Sequence, residues 1–419
     1  MSGAHRVPGN KNAALPMIAA ALLTDEPVKL ENLPAIADVE RMLTCAVKFG
    51  AKVVRDLAAR SVTIEAKRLR TARLDPALAR AIRTSVLFAG PLLARTGGVS
   101  LPPPGGDGIG HRRLDTHFEG FAALGARVKC GRRILSVKAP ARGLVGADIV
   151  LDEASVTATE NILMAAVLAK GSTTIYNAAC EPHVQDLVRM LVSMGAKIGG
   201  AGTNRIVVEG VEKLHGAVAR VGCDYIEGAS YLTAAAITGG ELTLSEIDPE
   251  VFRMLEKPFA RFGVKWVVDE EHRTLHAPVR RRRTMRYDLG DAIPSVADGP
   301  WPMFPSDLMS ILIVLATQTR GTCLFHEKMF ESRLYFVDHL IGMGAKIVQC
   351  DPHRVVVTGP TTLQGTTVTS PDIRAGIALI LAALAAKGTT EILNAESIDR
   401  GYEAVESELA ALGAEIRRS

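Results

Sequence analysis

The chain lacks most of the features that would tie it together covalently or through a metal. Its six cysteines (Cys45, Cys130, Cys180, Cys223, Cys323 and Cys350) are scattered and include no CxxC pair. Neither a zinc site nor a disulfide framework is indicated, and reduced thiols in the cytoplasm fit this pattern. An excess of one charge is also missing: 49 basic against 45 acidic residues leave +4. A nucleic-acid-binding coat needs a clustered basic surface, so nucleic acid is not an expected partner. The short run 280–283 reads as a solvated turn. No apolar run reaches the ~20 residues of a membrane helix, so no membrane partner is expected either. Residues 13–23 (AALPMIAAALL) follow Arg6 and Lys11 and look like a short signal peptide, but segments of the same kind recur through the chain, which argues for core.

What is present is length, glycine and repetition. At 419 residues the chain is too long for one comfortable core, and two or three domains are expected. A Gly-Ala-basic-aliphatic phrase recurs with variation: FGAKVV, LGARV, MGAKI, FGVKW, MGAKI and LGAEI, with glycines at 50, 125, 195, 263, 344 and 413. The spacing of 68 to 81 residues marks six copies of one unit. Each phrase predicts a helix end with a glycine cap, then a strand. Other segments, such as 161–177, 229–247, 306–325 and 372–393, recur as a helix, a turn and a strand, and their helices are apolar nearly all round and should be buried. The helices before the glycines, such as 183–194, carry a polar face and should lie outside. Three units plus three give two similar α/β domains with a seam near Ala219 to Asp224; a solenoid of stacked units is the alternative.

Charged residues recur at the start of the apolar helices: Lys11 with Asn12, Arg83, Glu160 with Asn161, Glu227, Asp307, and Asp372 with Arg374. A buried helix has little use for a charge at its start unless that end faces a cleft. Helix N-termini attract anions, and added Lys and Arg strengthen the attraction. The second unit also carries an odd loop, GGVSLPPPGGDGIGHRRLD (97–115). It is neither a Walker loop nor GxGxxG; three prolines before paired glycines read as a mobile lid on a stiff base. Asp107 lies between glycines there and is either a turn former or a functional carboxyl.

The phrases KNAALP, IRTSVLFAGPLLAR, PGGDGIGHRRLD, SVTATENILMAA, EPHVQDLVRMLVSMGAKI, FPSDL, FESR, DIRA and IDRGYE run in order over nearly the whole chain. Through them the sequence resembles the UDP-N-acetylglucosamine 1-carboxyvinyltransferases of peptidoglycan synthesis and, more distantly, 5-enolpyruvylshikimate-3-phosphate synthase. The resemblance implies an inside-out α/β barrel of two three-repeat domains, 11–222 and 223–419 joined by 1–10, with the active site in the cleft between them. It implies phosphoenolpyruvate and UDP-N-acetylglucosamine as substrates. No metal or organic cofactor is expected, because arginines and a lysine already supply positive charge. By resemblance, Lys11, Arg112 and Arg400 hold the phosphate, Arg333 and Arg374 surround the carboxylate, and Arg83 joins the anion cluster. Asp307 is the candidate base and Asp372 a further active-site carboxylate. Asn12, Asp115, Ser155 and Val156 hold the sugar nucleotide, and the loop residue at Asp107 delivers a proton.

The sequence departs from the family's pattern in three ways. Asp107 stands where most members have cysteine. Arg113 replaces the usual proline and Thr116 the usual leucine on the uridine side. The sequence also begins about ten residues late, so a first strand of the C-terminal domain is expected to be missing. Two further readings stay open: an enolpyruvyl transferase for another acceptor such as a uridine nucleotide, and a non-catalytic sugar-nucleotide binder.

Overall fold

The computed structural model describes residues 1–105, 109–110, 112–131, 134–280 and 282–419, with the backbone alone at Cys130. The expectation attached to Asp107 therefore lies outside the described residues. The described chain separates into two compact units. One comprises Met1–Pro8, Ile109 with Gly110, and Cys223–Ser419; the other comprises residues 9–105 and Arg112–Gly222. No described helix is long and apolar enough to cross a membrane.

Each unit is built around three sealed helices. In the unit holding Arg112–Gly222 these are Lys11–Ala20, Ala89–Thr96 and Val156–Ala166; in the other they are Tyr225–Thr238, Met309–Thr317 and Ile373–Ala385. Within each unit the three helices pack on one another. Removing these aliphatic faces from water stabilises each unit by roughly 25 cal/mol per Å² of apolar surface buried. The segment 13–23 that resembles a signal peptide is part of this core: its other residues are at 2% exposure or less, and Pro16 inside the helix is buried too.

The sealed helices begin in two different ways. Asn10, Ser155, Asp224 and Asp372 each cap a helix by accepting backbone N–H groups through the side chain. In the second and fifth repeats a short 3-10 turn leads into the helix instead, Arg83–Phe88 and Ser306–Leu308. Those turns place Arg83 and Asp307 at the helix entrance.

The six phrase glycines all adopt positive φ, from 76° at Gly263 to 110° at Gly50. An L side chain would be strained there, and a glycine lets the outer helix stop and the chain reverse. A strand follows in five repeats: Lys52–Asp56, Arg127–Cys130, Lys197–Gly199, Val267–Asp269 and Lys346–Asp351. The sixth departs from the expectation, because residues 414–419 form no strand. In the other five that strand pairs antiparallel with one after it, as Lys52–Asp56 does with Ser61–Glu65; residues 414–419 have no such partner.

The sheets show the same economy. In one unit the strand order is Val218–Arg220, Val28–Glu31, Ser61–Glu65, Lys52–Asp56, so the last strand of the unit pairs parallel with its first. In the other unit Gly3–Arg6 pairs parallel with Leu242–Ser245, Gly3 opposite Leu242. The sixth repeat has a two-stranded sheet, Thr367–Thr369 with Glu391–Leu393.

Candidate functional site

A cluster of buried charges lies in the unit of the fourth, fifth and sixth repeats. Asp307, in the 3-10 turn, accepts from two arginines at once. Arg333 Nη2 reaches Oδ1 at 3.0 Å and Arg374 Nη2 reaches Oδ2 at 2.9 Å. Both arginines are sealed, at 4% and 5% exposure, while the Asp307 side chain is 26% exposed. Burial works against the Arg374 charge, but Asp307 and Asp224 outweigh it and hold its pKa above the ordinary value. Its guanidinium also lies 5.9 Å from the ring centre of Tyr402. Burial pushes the Tyr402 hydroxyl up to about 12 against the pull of Arg374, so it stays protonated and bonds Ser230 Oγ at 3.1 Å. Carboxylates from two helix starts, Asp224 and Asp307, thus act on one guanidinium.

Asp372 has a clear structural task. Its Oδ1 accepts the N–H groups of Arg374 (2.8 Å) and Ala375 (3.0 Å), which caps the helix and fixes the backbone that carries Arg374. Arg333 is held differently: its guanidinium lies 5.2 Å from the Phe330 ring centre, and the N–H of neighbouring Ser332 donates to the Ile109 carbonyl (3.2 Å). Arg400 closes the short helix Ala395–Arg400 and is half-buried.

The other unit gathers the remaining expected residues around its own helix starts. Lys11 opens the first sealed helix, and its Nζ pairs with the buried carboxylate of Asp38 at 2.7 Å; Arg41 binds the other oxygen at 3.0 Å. Asn12 donates its backbone N–H to Asn10. Arg83 donates through Nη2 to the Arg112 carbonyl at 2.6 Å, so it shapes the segment entering the helix Asp115–Ala123. Burial first, and the charge of Arg112 second, push Arg83 down to about 10. A guanidinium made costly in this way gains from an incoming anion. Ser155 caps the helix that starts at Val156, and both side chains are half-exposed.

Two of the family departures turn out to share a partner. Arg113 Nη1 binds Asp152 Oδ2 (2.8 Å) and its Nε binds Asp115 (3.2 Å), while the Thr116 hydroxyl donates to Asp152 Oδ1 (2.8 Å). Both residues therefore anchor on Asp152, and Arg113 alone also reaches Asp115.

Several buried groups have partners that the sequence does not reveal. Asn161 bridges the second and third repeats: its amide donates to Val86 O and to His117 Nδ1 and accepts from Gly90 N–H. With Nδ1 accepting, the His117 proton sits on Nε2 and faces Thr157 Oγ1 at 3.1 Å. Burial, then Arg83, push His117 down to about 3, so it is neutral. In the other unit His5 links Glu227 (3.0 Å) and Glu408 (3.2 Å) and stacks on Tyr231. Asp38 could have been found by its position, as a carboxylate near the start of a helix that buries it. His117 gives no such signal.

A family model for EPSP synthase (3-phosphoshikimate 1-carboxyvinyltransferase) matches residues 1–409. The chain is 50% identical over 410 residues to the UDP-N-acetylglucosamine 1-carboxyvinyltransferase of Borreliella burgdorferi, covering 98% of this chain and 95% of that one. It is 51% identical over 418 residues to the enzyme of the same name from Bradyrhizobium diazoefficiens, covering 100% and 96%. Among solved structures it resembles the enolpyruvyl transferase NikO from Streptomyces tendae, with a TM-score of 0.87 at 25% identity, covering 100% and 96%. EPSP synthase from Acinetobacter baumannii shares the fold, with a TM-score of 0.78 at 18% identity, covering 100% and 97%.

Proposed function

The chain belongs to the EPSP synthase family, and on that premise we propose that it transfers the enolpyruvyl group of phosphoenolpyruvate to the 3'-hydroxyl of UDP-N-acetylglucosamine. The acceptor is the one in the names of relatives at about half identity over nearly full length, and phosphoenolpyruvate is the donor of the carboxyvinyl group that those names carry. The reaction is addition then elimination. The acceptor hydroxyl adds to the central carbon of phosphoenolpyruvate as a proton joins the methylene carbon. A proton then leaves that carbon and phosphate departs, completing a step in peptidoglycan precursor synthesis in the cytoplasm. In this reading 11–222, and 223–419 with 1–10, are two three-repeat domains, each an inside-out α/β barrel with helices within and sheets without.

The observation that carries the proposal is Asp307 clamped between Arg333 and Arg374. Two guanidinium groups on one carboxylate make it a weak base. A substrate carboxylate draws those guanidiniums to itself by the same bidentate chemistry, and Asp307 then regains basicity beside the acceptor hydroxyl. Arrival of phosphoenolpyruvate thus switches the base on. Lys11, Arg112 and Arg400 balance the phosphate charge, with Arg83 adding to the anion field. Asp107 delivers the proton to the methylene carbon, and Asn12, Asp115, Ser155 and Val156 hold the sugar nucleotide. Asp372 is a further active-site carboxylate, and its cap on the helix also fixes Arg374.

The test is phosphate release from phosphoenolpyruvate with a panel of acceptors, the product being identified by mass. UDP-N-acetylglucosamine should support release and gain an enolpyruvyl group. Release with a uridine nucleotide lacking the amino sugar, and none with UDP-N-acetylglucosamine, would assign a different acceptor. The Arg113, Thr116 and Asp152 contacts would then be the place to look.

A further inference from the structure

Behind the Asp307–Arg333 pair lie two carboxyl groups that neither the capping pattern nor the proposed reaction uses. Asp298 and Glu327 are both at 0% exposure. Asp298 follows the strand Ser295–Ala297 and begins the stretch that leads to the Ser306–Leu308 turn. Glu327 follows the strand Gly321–His326 and begins the stretch that leads to Arg333. The two therefore stand at the roots of the two segments that carry Asp307 and Arg333.

Their contacts run into both segments. The Ser306 hydroxyl, next to Asp307, lies 2.9 Å from each Glu327 oxygen. Glu327 Oε1 also accepts the N–H groups of Met329 (3.3 Å) and Phe330 (3.2 Å), which folds the chain toward Arg333. Asp298 Oδ1 accepts the Lys328 N–H. Its Oδ2 is buried with no hydrogen-bond donor beside it, and the parallel register that sets Ala297 opposite His326 brings Asp298 alongside Glu327 where the two strands end. Two carboxyls cannot bond without a proton between them, and two buried carboxylates side by side would repel strongly. The other polar groups facing Glu327 are Arg333, whose charge favours ionisation, and His353, which donates from Nδ1 to the Glu327 carbonyl at 2.8 Å. Burial and Asp298 outweigh Arg333, and the Glu327 carboxyl is held well above the usual carboxylate range.

We propose that Asp298 and Glu327 form an acid pair sharing one proton, a positioning device that sets Asp307 against Arg333 and leaves the Arg333 charge to the substrate carboxylate. The proposal rests on the reading of Arg333 and Asp307 given above. When the shared proton is lost, the carboxylates repel, the two segments separate at their roots, and a second negative charge behind Arg333 competes with the substrate for it. The pair contributes stability that is fully present below the ordinary glutamate pKa and lost as pH rises through the raised one.

The experiment compares the unmutated chain with Glu327→Gln, Glu327→Ala and Asp298→Asn from neutral to strongly alkaline pH. It reads kcat and KM for phosphoenolpyruvate, the melting temperature, and the infrared carbonyl band of a protonated carboxylic acid. In the unmutated chain KM should rise by up to about tenfold per pH unit once the pair deprotonates, with kcat falling less. The infrared band should vanish over the same interval. Glu327→Gln offers an N–H in place of the proton, so it should rescue the activity that Glu327→Ala loses, lack the band, and show a flat alkaline KM. Asp298→Asn should likewise lose the alkaline rise, because Glu327 no longer faces a like charge. An alkaline rise in KM that persists in Glu327→Gln, or a protonated-acid band that persists there, would overturn the pair. A folded Glu327→Gln chain as inactive as Glu327→Ala at every pH would overturn its positioning role. If the unmutated chain releases no phosphate yet shows the band and loses it in Glu327→Gln, the functional reading fails and the shared proton stands.

Discussion

In the second repeat a 3-10 turn beginning at Arg83 leads into a sealed helix, and in the fifth a 3-10 turn containing Asp307 does the same. Each turn is followed, beyond the helix and a strand, by a segment bearing arginine: Arg112 and Arg113 in one, Arg333 in the other. The backbone device is shared but the charges are opposite. Asp307 receives two guanidinium groups, whereas Arg83 donates to the carbonyl of Arg112. The middle repeat of one unit thus holds a carboxylate already paired with two guanidiniums, a cluster that a substrate anion must pull apart. In the other unit the middle repeat holds a cation made costly by burial, which gains when an anion arrives. The position is set by the repeat and the chemistry by one side chain.

The largest effect that could break this comparison comes from Asp307→Asn. Loss of the base should lower turnover by about 10²–10⁴-fold. It also leaves two buried guanidiniums facing each other without a carboxylate, so the melting temperature should fall and inorganic phosphate should restore much of it. Wild-type turnover in this variant would remove Asp307 from the mechanism.

Next in size is Arg333→Ala. A charge-assisted hydrogen bond contributes about 1.5–3 kcal/mol, so KM for phosphoenolpyruvate should rise about 10–100-fold. Steady-state kinetics at saturating acceptor would measure it, and an unchanged KM would refute the carboxylate role. Arg83→Met sharpens the contrast from the other side. Inorganic phosphate should stabilise the unmutated chain more than this variant, since the variant lacks the buried Arg83 charge to relieve. Equal thermal shifts in the two would contradict the argument about Arg83.

A subtler contrast lies in proton linkage. His117 is pushed down to about 3 by burial and by Arg83. Its share of stability is present above the ordinary histidine pKa and is lost as pH falls through the depressed one. Glu227 is pushed up to about 7 by burial, partly opposed by its bond to His5. Its share is present below the ordinary glutamate pKa and lost as pH rises through about 7. Each contributes a slope of at most about 1.4 kcal/mol per pH unit within its window. Urea midpoints across pH should show His117→Asn flattening the acid limb and Glu227→Gln flattening the limb toward neutrality. Identical slopes in variant and parent would count against the buried states assigned to those groups.

Much of this architecture is legible in the sequence because it repeats. A glycine recurring every 68 to 81 residues marks a backbone position that requires positive φ, and all six glycines have it. Charges at the starts of otherwise apolar helices are legible for the same reason, since burial makes them costly without a partner. The partners themselves are not legible. Asp38 meets Lys11, and Asn161 meets His117, only because helices from different parts of the sequence pack side by side. Asp298 and Glu327 look like ordinary loop carboxyls until two strands in one sheet bring their ends together. The cap formed by Asp372 was hidden by the function its position suggested. The absent sixth strand was hidden by a phrase that repeats its glycine but not the hairpin that follows.

The central claim is that arrival of the donor's carboxylate frees Asp307 to act as base for the acceptor. The measurement that tests it most directly is the release of phosphate by the purified chain with phosphoenolpyruvate alone, with UDP-N-acetylglucosamine alone, and with both, repeated for Asp307→Asn. The account predicts rapid release only when both are present, one enolpyruvyl sugar nucleotide formed per phosphate, and near-complete loss in the variant with donor binding retained. Release that needs no acceptor, or that survives Asp307→Asn undiminished, would contradict it.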